Sequence, residues 1–420
     1  MSADGAGPAP ALAAVMQRVA VTAETVGPRF PLYAEPADGR WTTTGRGSWT
    51  GGFWAGLLWL RARYTGDAAD RRAAAACTAR LEPWVGADTA TRGLILWYGT
   101  APAGDDAAAA ELRDRGAREV LAAHDRELGL VPWGAALGGP RLLARVDGVP
   151  GTVPLLAGAG PQGAAAAASH LHRHLDLCLG AGRDRDLSLR PALSFDAVAG
   201  WQPCADPPPG WSRGRAWLLL AVADALLRPD PALPGPALPG PVLPGPVLPG
   251  RALPGPVLPG PVLPGRALPG PVLPGPVLPG PVLPGRALPG PAARLAEAAE
   301  LLAAEGGSPA AGLVPAADAA RPDGPLDTSA AAITAVALLK LARVPGPRSA
   351  AYAYRAEAIL QHLAEHHLTG PDSGRPPGML LDGCYDAGKE LAVRHELIWG
   401  DFFLALGLAA LDGVVDITRI

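Results

Sequence analysis

Tyr64-Thr65-Gly66-Asp67 writes a helix join in four residues. A glycine, free to take left-handed φ, ends one helix, and an aspartate whose carboxylate can accept from unpaired N–H groups starts the next. The segments on either side predict helices over 48–64 and 67–86. Working outward, the same pattern recurs: apolar residues at i, i+3 and i+4, punctuated by Gly or Pro. It predicts further helices over 9–26, 91–100, 105–124, 145–158, 162–180, 211–228, 292–305, 327–343, 348–366 and 394–412. No stretch alternates with period two for long enough to predict a strand. Twelve helices with short joins make six hairpins, and closing six hairpins on themselves predicts an all-α, (α/α)6 barrel, a six-hairpin toroid.

One segment stands outside that pattern. From Pro231 to Gly290 the chain is twelve pentapeptides of the form (Pro/Arg)-(Ala/Val)-Leu-Pro-Gly, with Arg at 251, 266 and 286. Proline at this density forbids helix and blocks sheet ladders, and each Pro-Gly favours a turn. We read 231–290 as a disordered low-complexity insertion in one inter-helix loop, since lengthening a loop costs little closure entropy. Residues 1–230 and 291–420 are then the first and second parts of the same barrel.

Composition narrows the function classes. A net charge of −3 leaves no electrostatic footprint for nucleic acid. No apolar run is long enough for a membrane span, and the N-terminus lacks a signal-peptide pattern, so a soluble cytoplasmic protein is expected. Cys77, Cys178, Cys204 and Cys384 are scattered with no CxxC, so neither a metal site nor a disulfide framework is expected, and no cofactor is implied. Tryptophan is in surplus, with 11 Trp against 5 Phe and 6 Tyr, and a surplus of indoles often lines sugar-sized clefts.

The polar and aromatic clusters sit at the starts of every second helix. Arg46-Gly-Ser-Trp49-Thr-Gly-Gly-Phe-Trp54 opens the second, and Arg145-Val-Asp147-Gly148 the sixth. The eighth opens on Gly210-Trp211-Ser212-Arg213-Gly214-Arg215-Ala216-Trp217, with Ser212 placed to cap it. Asp327-Thr-Ser329 opens the tenth, and Arg394-His395-Glu396-Leu-Ile-Trp399-Gly-Asp401 the twelfth. In a toroid of hairpins alternate helices form the inner ring with their N-termini at one face, so these clusters converge on one pocket. Positive helix ends there favour an anionic ligand, and flat indoles beside a guanidinium suit a ring bearing a carboxylate.

These residues bring a family into view. Trp49-Thr-Gly-Gly-Phe-Trp-Ala-Gly-Leu-Leu-Trp59 followed by Tyr64-Thr-Gly-Asp67 resembles the N-terminal segment of the unsaturated glucuronyl hydrolases, glycoside hydrolase family 88. Trp211-Ser-Arg-Gly-Arg-Ala-Trp217 resembles that family's Trp-x-Arg-Gly-Gln-x-Trp segment, and Asp327-Thr-Ser and Glu396-Leu-Ile-Trp-Gly-Asp-Phe-Phe403 its two late motifs, in order. The resemblance implies an (α/α)6 barrel acting on the 4,5-unsaturated uronic acids that polysaccharide lyases leave on oligosaccharides. Such enzymes hydrate the C4=C5 enol ether rather than attack the anomeric carbon, and the hemiketal formed opens and expels the remaining sugar. Asp147 matches the proton donor, fourteen residues after a matching Trp133-Gly134. Trp54, Trp133, Trp211, Trp217 and Trp399 are the implied substrate-binding indoles, and Arg213 the implied partner of a substrate anion. The expected partner is a small oligosaccharide, with neither nucleic acid nor membrane.

Some positions depart from the family pattern. Thr91 stands where a second Asp belongs, with Asp88 three residues earlier as a substitute; a His-Gln pair expected before Trp211 reads Trp201-Gln202; and the Gln of the Trp-x-Arg-Gly-Gln segment is Arg215. His395 is a further candidate. A second reading is therefore a sugar-binding barrel that has lost one carboxylate and its catalysis. A third, a sugar epimerase, usually needs paired histidines; His170, His172 and His174 fall on the seventh helix, in the outer ring, and are expected at the surface.

Overall fold

The computed structural model describes residues 8–179, 189–228, 290–304 and 312–420. The pentapeptide repeat, apart from Gly290, lies outside the described residues. Twelve helices run through the described residues in chain order: α1 (Pro8–Val26), α2 (Gly51–Thr65), α3 (Ala68–Ala79), α4 (Tyr98–Thr100), α5 (Ala107–Ala122), α6 (Thr152–Ala157), α7 (Gly160–Leu179), α8 (Ser212–Leu226), α9 (Pro291–Ala303), α10 (Thr328–Leu341), α11 (Ser349–His366) and α12 (Ile398–Leu411). One turn of π-helix, Gly93–Trp97, leads into α4.

The join read first behaves as its residues require. Gly66 takes φ +68° and its N–H closes on the Ala62 carbonyl at 3.0 Å, while the Asp67 carboxylate accepts from the Ala69 N–H at 2.6 Å. Asp106 and Asp327 cap α5 and α10 in the same way. Ser212 does not: Trp211 occupies the cap position of α8, and the Ser212 hydroxyl donates instead to the Ala317 carbonyl at 3.3 Å.

The even-numbered helices are largely apolar and are buried along most of their length, as an inner ring must be. They touch in sequence, α2 against α4, the π turn before α4 against α6, then α6, α8, α10 and α12, and α12 closes on α2. Small residues permit the close approach: a Cβ on Gly52 would lie 2.3 Å from the Ile95 carbonyl oxygen, and one on Gly56 2.5 Å from the Phe402 ring. Phe53, Tyr98, Trp217, Phe402 and Phe403 form one aromatic cluster between the inner helices, with Phe53 and Trp217 near-parallel at 6.1 Å and Phe402 and Phe403 edge-on. Near the C-terminal ends of the inner helices Lys340 is wholly buried and bonded to Asp224 at 2.5 Å and to the Ile420 carbonyl. No helix among the described residues is long and apolar enough to cross a membrane.

Among the described residues seven short strands, which the sequence pattern did not predict, accompany the helices: β1 (Phe30–Ala34), β2 (Trp41–Thr44), β3 (Leu143–Arg145), β4 (Ala192–Asp196), β5 (Gly200–Pro203), β6 (Gly383–Asp386) and β7 (Leu391–Leu397). They form two antiparallel sheets, in the orders β2-β1-β7-β6 and β3-β4-β5. All seven lie in joins that run from an odd helix to an even one, at the end where the inner helices begin. The physical reason they escaped detection is length: most hold three to five residues, too few for a period to emerge, and pairing such as Tyr33 with Leu397 is tertiary. Two predicted helix starts shift accordingly. The stretch before Ile398 is β7, and Val146–Gly148 is a single 3-10 turn with α6 beginning at Thr152.

Candidate functional site

A cavity of about 830 Å3 opens at the N-terminal end of the inner ring. Each of the six odd-to-even joins contributes to it, represented by Trp49, Thr91, Asp147, Trp211, Asp318 and Tyr385. Of the five clusters expected to converge, those at the starts of α2, α6 and α8 reach this cavity, whereas residues 327–329 and 394–401 do not line it, because their joins present other residues, such as Asp318 and Tyr385, to it.

Asp147 sits in the 3-10 turn that β3 delivers to the cavity wall. Both of its carboxylate oxygens are taken by Arg145, from Nε at 3.0 Å and from Nη2 at 3.1 Å. The guanidinium in turn lies over Trp133 at 4.9 Å and over Trp211 at 5.8 Å, so an indole–cation–indole stack forms beside the carboxylate. Burial works against the Arg145 charge, but Asp147, together with Asp206 and Cys204, outweighs it and holds the guanidinium above its ordinary pKa. Thr91 faces the same cavity but is almost wholly buried, its hydroxyl 2.9 Å from that of Thr89.

Trp133 is fixed by Asp88. Gly134, at φ +84°, packs on the Asp88 backbone, and the Asp88 carboxylate accepts from the Ala135 N–H at 3.2 Å and from Arg141 Nε at 3.1 Å. Asp88 therefore shapes the turn after Trp133 and does not line the cavity. His170 is also placed differently from expectation. It and His174 are fully buried rather than at the surface, because α7 turns that face toward the Asp147 join. The Val131 N–H donates to His170 Nδ1 at 3.0 Å, which leaves the ring proton on Nε2, 3.3 Å from the Gly148 carbonyl that it meets. One neutral ring thus ties the extended segment entering Trp133 to the turn carrying Asp147. Burial drives the His170 pKa far below its usual range and that of His174 down to about 4.

Arg213 lines the cavity but is committed elsewhere. It is buried to 3% exposure, paired with Asp327, and donates to the carbonyls of Cys384 at 2.6 Å and Tyr385 at 2.7 Å. Its role is to lock α8, the cap of α10 and β6 together beneath the site. Trp217 forms part of the cavity floor at 1% exposure, whereas Trp54 and Trp399 are core indoles; Trp399 Nε1 donates to the Ser329 hydroxyl at 3.0 Å. Gln202 lies exposed on β5 and bonds the Ala199 carbonyl. His395 stacks edge-on against Tyr33, 3.5 Å from Glu35, outside the cavity.

At the rim, Trp49 of the first motif meets residues that the sequence motifs did not single out. Trp49 Nε1 donates to the Tyr385 hydroxyl at 3.0 Å. Lys389 bridges Asp206 at 2.9 Å and Asp386 at 2.7 Å, one from the join before α8 and one at the end of β6. Those two bonds raise the lysine pKa. The only signal for these residues was their presence in odd-to-even joins. Among the described residues no group of three or more His, Cys, Asp or Glu side chains is arranged to hold a metal ion, and all four cysteines are free.

No family model matches the chain, and no curated protein sequence matches it either. Solved structures do. An unsaturated glucuronyl hydrolase specific for heparin superposes with a TM-score of 0.72 at 18% identity, covering 98% of each chain. One from Bacillus sp. GL1, responsible for the degradation of glycosaminoglycan, gives 0.70 at 19% identity over 97% of each chain. Another from Streptococcus agalactiae gives 0.70 at 15% identity, over 98% of this chain and 93% of that one. The chain has the (α/α)6-barrel fold of the unsaturated glucuronyl hydrolases.

Proposed function

We propose that the protein is a glycoside hydrolase that acts on unsaturated uronyl oligosaccharides by hydrating the C4=C5 enol ether. The observation that carries this reading is Asp147 in the wall of an indole-lined cavity, within the fold that such hydrolases share. In this reading the Asp147 carboxyl delivers a proton to C4 and directs water to C5, giving a hemiketal that opens and releases the shortened oligosaccharide. Trp133 and Trp211 supply ring platforms, and the buried floor of Trp217 keeps bulk water from the far side of the ring. The test is the loss of ultraviolet absorbance of the conjugated enol ether in lyase-generated disaccharides. Stable absorbance at saturating enzyme would sink the proposal.

A second reading, a carbohydrate-binding barrel without turnover, is favoured by two features of the same wall. Thr91 carries no charge, and both oxygens of Asp147 are engaged by Arg145. Tight binding of the disaccharides with unchanged absorbance is the outcome that selects it.

A further inference from the structure

We propose that Arg145, and not Arg213, receives the carboxylate of the substrate, on the edge of its guanidinium that Asp147 leaves open. The inference rests on the uronyl-saccharide reading above and names the residue that would recognise the acid. Among the described residues four cations border the cavity: Arg145, Arg213, Arg321 and Lys389. Arg213 already serves Asp327 and two carbonyls and is buried to 3% exposure. Lys389 is neutralised between Asp206 and Asp386 with its side chain 62% exposed, and Arg321 is exposed at the rim. Arg145 is different. Its Nε and Nη2 hold Asp147, and Nη1 has no hydrogen-bond partner among the described residues.

The neighbours of Arg145 fit the same ligand. A guanidinium presents two forked edges, and a carboxylate matches either with two parallel bonds. Here the side edge is filled and the end edge is open. Trp133 and Trp211 flank the cation, so an acidic sugar whose carboxylate docks on Arg145 has indole surface beside its ring. A carboxylate bound there also lies next to Asp147 on a shared cation. The two negative charges then compete for one positive charge, a coupling absent for a neutral sugar.

Binding can be measured apart from turnover with a glucuronyl disaccharide saturated at C4–C5, which has no enol ether to hydrate, and its carboxyl-reduced glucosyl counterpart. Isothermal titration of the full-length protein should show a preference for the acid. Arg145→Gln should weaken acid binding about 10–100-fold, as expected for a lost charge-assisted pair, and change neutral binding by less than about threefold. Arg145→Lys, which keeps the charge without the fork and guards against misfolding of the Gln variant, should fall between. Asp147→Asn should tighten the acid by about tenfold because the guanidinium no longer shares its charge. Equal affinity of the wild type for both sugars, an unchanged acid preference in Arg145→Gln, or weaker acid binding in Asp147→Asn would each overturn the assignment. A protein that binds as expected yet leaves the enol absorbance intact keeps the Arg145 assignment and loses the hydration. One that hydrates while Arg145→Gln retains its preference does the reverse.

Discussion

Asp147 and Thr91 face one cavity from different joins, and the proposed chemistry turns on that pair. Asp147→Asn should lower turnover about 10²–10⁴-fold, the usual loss on removing a positioned general acid, while the unfolding midpoint stays near that of the wild type. Enol-absorbance kinetics on the purified variant decide this; a rate close to wild type removes Asp147 from the mechanism. Thr91→Asp should raise the rate, because two nearby carboxylates repel and one of them then holds a proton more readily. Thr91 is 2% exposed, so the new charge should also cost roughly 1–3 kcal/mol of stability, read from urea unfolding. A variant that binds substrate and gains no rate would show that position 91 is not what limits the reaction. His174 adds a pH dependence. Its burial lowers the pKa from 6.5 to about 4, so between those values the unfolded chain binds a proton that the native ring refuses. The contribution is whole above about pH 6.5 and is lost as pH falls toward 4, with roughly 2–4 kcal/mol at stake. Between pH 7 and about 4.5 the wild type should therefore lose more stability than His174→Gln, which keeps a donor for the His170 carbonyl 2.8 Å away. Parallel pH profiles of the two proteins would count against this account.

At the scale of elements, Arg215 turns a departure from the family motif into a structural device. From α8 it donates to the carbonyls of Leu301, Leu302 at 2.9 Å and Ala304 at 3.1 Å, and Arg355 takes that of Ala303. Four successive carbonyls at the C-terminal end of α9 are thus held by two guanidiniums, where the helix dipole also favours positive charge. Arg215→Ala should destabilise the protein by about 1–3 kcal/mol and speed amide exchange in α9 selectively. Uniform exchange rates would mean that the clamp does not hold α9. The helices themselves were legible because each signal is local: Gly66 and Asp67 end and start helices with their own atoms. The strands were not, since β3 holds three residues and β1 finds β7 from the far end of the chain. The same distinction governs the site. Trp133, Asp147 and Trp211 are recognisable by motif, but whether Arg213 faces a ligand or Asp327 depends on a contact across 114 residues. Lys389 and Tyr385 ride on a hairpin with no sequence pattern of its own.

For the whole molecule, the division of labour between the two ends of the barrel matters most. The inner helices close on one another through apolar and small residues, and the joins at their N-terminal ends carry the cavity. The join between α8 and α9, which contains the repeat, is an even-to-odd one, and α8 and α9 pack directly on each other. Deleting 231–290 should therefore leave cooperative unfolding and any turnover unchanged, checked by thermal melts and by kinetics at saturating substrate. Loss of either would assign the repeat a part in the fold. The ion pair of Lys340 and Asp224 secures the opposite end, and it has a practical counterpart at the rim. The chain contains two lysines, Lys340 and Lys389. The first is enclosed, and the second stands at the cavity mouth with its side chain 62% exposed. Amine-directed chemistry thus finds one accessible lysine, and a dye or cross-linker placed there would report directly on what enters the barrel.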